Sequence, residues 1–125
     1  MINFTNAKLI SSNLKSAQLS FSNFTGADLS YANLTDANLY GSDLSNAILN
    51  NTILVRVDLR NAKYKISDLI KCKKISGLKI TEDRNFTDEM LVLAKAGAKI
   101  YGDVDRDGDN SVEVTYEYLY KNDVF

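Results

Sequence analysis

Bulky apolar residues recur at every fifth position along the first half of the chain. They are Phe4, Leu9, Leu14, Leu19, Phe24, Leu29, Leu34, Leu39, Leu44, Leu49, Leu54, Leu59, Tyr64 and Leu69, fourteen without a miss. Two residues before each lies a second series: Ile2, Ala7, Ser12, Ala17, Ser22, Ala27, Ala32, Ala37, Ser42, Ala47, Thr52, Val57, Ala62 and Ser67. Almost all of these are small. The residue between the two series is usually Asn or Asp, as in the stretch ADLSYANLTDANL. Each unit thus offers one large and one small inward position, separated by a polar outward one.

A period of five fits neither the 3.6 of a helix nor the 2 of an ordinary strand, so the chain must turn once per unit. Four turns close a square. If squares stack at the sheet spacing of ~4.8 Å, each side chain sits over its equivalent one coil earlier. One face then stacks Phe4, Phe24, Leu44 and Tyr64, and the other three stack leucine alone. The second inward position must be small because the interior is too narrow for two large side chains per unit.

The strict frame breaks at Cys72, which divides the chain into a repeat region, 2–71, and a C-terminal segment, 72–125. A solenoid end needs a cover for its core and unpaired edge. Thr87 as N-cap, Asp88 and Glu89 in the first turn and Gly97 at the end predict a helix over about 87–97. Phe86 and Leu91 have staple spacing, and Met90, Leu91 and Ala94 offer a packing stripe. Beyond it Val112, Val114, Tyr116, Tyr118 and Tyr120 alternate, predicting a β-hairpin over about 99–120. Ile48, Ile53, Val55, Ile66 and Ile70 fall in outward positions, which calls for a cover by the C-terminal segment or a second subunit. No comparable cover precedes Phe4, a hint that another copy closes that end as a homodimer.

These repeats resemble the pentapeptide-repeat family, whose consensus is Ala, Asp or Asn, Leu and two variable positions. The resemblance implies an all-β fold, a right-handed quadrilateral β-helix, here with a C-terminal capping helix and β-hairpin. It implies no single function, because fold and activity separate in repeat families. Some members resemble double-stranded DNA in shape and charge and bind DNA gyrase. The charge opposes that reading here. Residues 1–71 carry 7 basic and 5 acidic side chains, a net +2, whereas duplex DNA carries a negative charge per ~1.7 Å. About three and a half coils would also span only roughly 17 Å at the sheet spacing.

Composition narrows the remaining chemistry. The chain has 125 residues, 45% hydrophobic and 25% charged, with net charge −1, which fits a globular domain and gives no patch for direct nucleic-acid binding. The lone Cys72 excludes an internal disulfide framework. No secretory signal pattern or membrane-length apolar run is present, so the expected location is cytoplasmic. There is no His, no Gly-rich phosphate loop and no base beside Cys72, so an enzyme is not expected.

Two groups of residues stand out as candidate sites. Asp103, Asp105, Asp107 and Asp109 alternate around Gly108, with Ser111 at the ninth position of a calcium-type loop begun at Asp103. A second frame starts at Asp105. Both frames lack the terminal bidentate Glu of an EF-hand, because position twelve is Val114 or Tyr116. Bound Ca2+ is one reading. A solvated turn built from Asp, Asn and Gly is the other. On the solenoid, Phe21 and Tyr40 should project from the face carrying Leu19, Leu39 and Leu59, with Arg60 beside them. This is a contact patch for a protein partner that the sequence does not identify, or else a pair of isolated surface aromatics.

Overall fold

The computed structural model describes residues 1–81, 88–102 and 112–114. Through Lys63 the chain winds as a four-sided coil whose outward residues pair in parallel with those twenty positions on. Asn3, Asn23, Asp43 and Lys63 form one column, and Gln18, Asn38 and Asp58 another.

Each corner is a tight turn with one recurring geometry. The carbonyl of the large inward residue accepts a hydrogen bond from the N–H three residues on, as in Phe4 to Ala7 at 2.9 Å and Leu29 to Ala32 at 3.0 Å. The third residue of the turn has positive φ, the signature of a type II turn. Gly26 and Gly41 fill that place in two turns, but ten turns use another residue, Phe21 at 58° and Tyr31 at 60° among them. Outside the turn, the Asn or Asp position serves the backbone too. Asn33 Oδ1 accepts from the Thr35 N–H at 3.0 Å, and Asp43 Oδ1 accepts from the Ser45 N–H at 2.9 Å. This Asx bond explains why the position between the two inward series is so often Asn or Asp.

The core is the stack of inward side chains. Phe24, Leu29, Leu34, Leu39, Leu54 and Leu59 are fully buried, with Ala27, Ala32 and Ala37 in the small column. Each such leucine contributes roughly 1.5–3 kcal/mol by burial. Phe4 and Phe24 stack with ring centroids 4.8 Å apart and planes at 17°. The three polar intruders are satisfied: the Ser22 hydroxyl oxygen accepts from the Ile2 N–H at 3.2 Å, and the Ser42 hydroxyl donates to the Leu39 carbonyl and the Thr52 hydroxyl to the Leu29 carbonyl, both at 2.7 Å. In the first coil Phe4, Leu9 and Leu14 are only half-buried, because they have a neighbouring coil on one side alone.

Where the sequence reading runs the repeat to residue 71, the structure places a helical turn, α1, at Ile66–Leu69. Leu69 still points inward and is fully buried. The coil then continues beyond Cys72. The Lys73 N–H donates to the Thr52 carbonyl, while the Lys74 carbonyl accepts from the Leu54 N–H. Two residues therefore oppose Ile53, a β-bulge that moves the register from twenty to twenty-one. Ile75, Leu78 and Ile80 resume the buried columns, and Leu78 donates to Ile75 across another corner. The five-residue frame breaks at Cys72 because one residue is inserted, not because the coil stops.

Strand β1, Lys79–Thr81, pairs in parallel with β2, Lys99–Gly102, and β2 pairs antiparallel with β3, Val112–Val114. Between β1 and β2 lies α2, Asp88–Lys95. It ends in a Schellman motif: the Gly97 N–H donates to Ala94 and the Ala98 N–H to Leu93, each at 3.0 Å, with Gly97 at φ 97°. Among its described side chains Leu93 and Ala94 are buried and Val92 is exposed, while those of Met90 and Leu91 are not described. Phe86, Thr87, Tyr116, Tyr118 and Tyr120 lie outside the described residues. Of the outward isoleucines, Ile53 and Ile66 are half-buried, as is Val55, whereas Ile48 and Ile70 stay 42% and 43% exposed.

Candidate interaction surface

The face built on Leu19, Leu39 and Leu59 gathers its outward side chains into one ladder. Phe21 occupies the left-handed corner of its turn, and its ring lies over Gly41 one coil above. A Cβ on Gly41 would come within 2.5 Å of that ring. Only glycine leaves room there. The Phe21 ring meets Tyr40 edge to face at 5.7 Å between centroids, with planes at 73°, a pairing that contributes ~0.5–1.5 kcal/mol beyond area. The Asn61 side-chain amide donates to the Tyr40 hydroxyl. The Arg60 guanidinium sits 5.8 Å from the Tyr40 ring centroid. It is held by Asp58 through Nε at 2.9 Å and Nη2 at 2.8 Å.

Thus Tyr40 stands between Phe21 and Arg60 and touches both. Phe21 is 57% exposed, while Tyr40 and Arg60 are half-buried. Sequence reading did not find the supporting residues Gly41, Asp58 and Asn61. The signal was present in Gly41, which stands one coil above Phe21 at the corner position that most units fill with a larger residue.

The acids of the solenoid are dispersed. Asp28 and Asp43 are held below the ordinary carboxylate range by hydrogen bonds from Ser30 and Ser45, with Lys8 and Lys63 adding to the effect. The Arg56 hydrogen bond lowers Asp36 in the same way. At Asp58 burial pushes the carboxyl up, but the Arg60 hydrogen bonds and the charges of Arg60 and Lys79 outweigh it, leaving it lowered. Asp43 sits between Asn23 and Lys63, and Asp58 between Asn38 and Lys79. These two columns alternate acid with amide and lysine, unlike the unbroken negative charge of a duplex.

Cys72 takes the small inward place one coil above Thr52. Burial, and then the Asp68 carboxylate, push its thiol up to about 12, so it is not a thiolate at neutral pH. Asp103, Asp105, Asp107, Asp109 and Ser111 lie outside the described residues. Among the described residues there is no cluster of three or more carboxylate or thiol groups that could hold a metal ion. No described helix is long and apolar enough to cross a membrane.

A four-sided coil with type II corners, with an Asx bond wherever its outward position is Asn or Asp, and with side-chain ladders on its faces, defines a repeat protein that presents surfaces. Pentapeptide repeats (8 copies) match residues 2–39 and 37–63. Among solved structures, a pentapeptide repeat protein from Nostoc PCC 7120 is 31% identical, with TM-score 0.54, over 78% of this chain and 84% of that one. A pentapeptide repeat protein from the thylakoid lumen of Arabidopsis thaliana is 25% identical over 97% and 86% of the two chains, with TM-score 0.37. No curated protein matches. The chain belongs to the pentapeptide-repeat family, and its coil is the right-handed quadrilateral β-helix of that family.

Proposed function

We propose that this protein is a non-catalytic interaction module that binds a protein partner through the Phe21, Tyr40 and Arg60 ladder, with α2 and the β2–β3 hairpin capping the coil. One observation carries the reading: a large exposed ring is fixed in a left-handed corner, over a glycine that makes room for it. An aromatic held by its neighbours loses little entropy on binding. Such anchors dominate binding energy. The dispersed, partly neutralised acids favour this over a DNA-like surface directed at gyrase.

The test is a pull-down from the source cell's lysate with quantitative mass spectrometry, comparing wild type with the Phe21→Ser/Tyr40→Ser double variant. Serine already occupies the equivalent places at Ser16 and Ser20, so the coil should still form, with stability lowered only by the lost ring pairing, ~0.5–1.5 kcal/mol. A specific partner should be lost from the variant, with affinity falling roughly 30-fold or more, as expected for a hot spot. Equal recovery by both proteins removes this surface from consideration.

A second reading concerns the loop of residues 103–111, which contains the four aspartates. The register Gly102↔Val112 pairs the two residues that flank this segment. This favours a calcium loop clamped between strands, with the metal as a stabiliser of the cap.

A further inference from the structure

The bulge at Lys73–Lys74 borders a half-open cavity of about 280 Å³ between α1, the coil and α2. Its floor is Leu69, Ile75 and Leu93, all buried, and exposed Val92 stands at its mouth. Both lysines line it. The ion pairs of the described residues are Arg56–Asp36, Arg60–Asp58 and Lys71–Asp68, so among the described residues neither Lys73 nor Lys74 is matched to a carboxylate. A β-bulge re-aims side chains and recurs next to binding sites. Here the extra residue puts two successive exposed lysines on the wall of an apolar recess, a local concentration of positive charge that suits an anion.

From this geometry we propose that the recess binds a small amphipathic carboxylate, with a short alkyl or aryl end on Leu69, Ile75 and Leu93 and its anionic group at Lys73 and Lys74. The size fits a small ligand, because the cavity of about 280 Å³ falls just under the ~300 Å³ at which drug-sized pockets begin. Apolar surface supplies the affinity and the two lysines supply the choice of head group. The site is separate from the Phe21 ladder and does not depend on it.

Methyl-labelled full-length protein, titrated with octanoate, octanol and octylamine while the Ile75 and Leu93 methyl resonances are followed, tests this. Octanoate should give saturable shifts and bind best of the three. The Lys73→Glu/Lys74→Glu double variant changes only exposed side chains, and its fold is checked by its melting curve. It should bind octanoate at least about tenfold more weakly, the loss of a charge-assisted contact, and should come to prefer octylamine. Three results would each overturn the proposal: no saturable shift, equal response to all three compounds, or a response unchanged by charge reversal. Shifts that appear only after deletion of residues 115–125 would assign the recess to the chain's own tail and likewise overturn it.

Discussion

At the residue scale, the outward Asn or Asp, where a unit has one, performs one task with two chemistries. The side-chain oxygen must accept the N–H two residues on, and the amide of Asn33 and the carboxylate of Asp43 both do so, at 3.0 and 2.9 Å. Only the carboxylate titrates. Because hydrogen bonds from Ser30 and Ser45 depress the folded-state values of Asp28 and Asp43, folding favours their ionised forms. Their contribution is fully present above the unfolded value of 3.8 and is lost as pH falls through the lower folded values. Asp36 and Asp58 act in the same sense. The melting temperature should therefore stay level from neutral pH down to about 5 and fall below about 4, as the linkage of depressed carboxylates requires. Asp43→Asn keeps the acceptor and removes the charge, so it should shrink that fall. A fall of the same size in the variant would show that the Asx carboxylates do not control acid stability.

At the element scale, the corners were legible and the insertion was not. Every unit from Phe4 to Leu59 repeats the large and small inward residues, so any one of them could be lost and the pattern still read. The bulge has a single occurrence. Its trace is a shift by one, from Leu69 to Ile75 and Ile80, with Lys73 and Lys74 as the residues that absorb it. Nothing in a lysine pair announces a bulge. The Phe21 ladder lay between these cases: the face was readable from the period, but the edge contact with Tyr40 and the bidentate grip of Asp58 on Arg60 depend on rotamers. The hairpin raises the remaining element-level prediction. A cation held between β2 and β3 would bind the folded chain and not the unfolded one, adding about 2.7 kcal/mol at a hundredfold excess over its dissociation constant. Calcium should then raise the melting temperature relative to chelator, and Asp107→Asn should abolish the difference. Equal melting in both buffers ends that reading.

At the scale of the whole molecule, the solenoid is a one-dimensional stack, and its stability should be graded along the axis. Coil two is sandwiched, with Phe24, Leu29, Leu34 and Leu39 fully buried. Coil one has one neighbour, and Phe4, Leu9 and Leu14 are half-buried. Their N–H groups are bonded all the same, Leu9 to Asp28 and Leu14 to Asn33, each at 2.8 Å. Any difference in amide exchange therefore reports opening of the coil and not a missing hydrogen bond. The N–H groups of Leu9 and Leu14 should exchange at least about tenfold faster than those of Leu34 and Leu39, the signature of local opening at a stack end. Uniform protection would mean that the coils open together and would contradict the graded stack. The same measurement bears on binding, because the Phe21 N–H donates to the Tyr40 carbonyl at 2.8 Å and its ring packs on the Tyr40 ring. A partner gripping that ladder ties the first coil to the second, so the complex should slow exchange at Leu14 and Leu19 more than at Leu39. A partner that leaves Leu14 and Leu19 unchanged must bind some other surface.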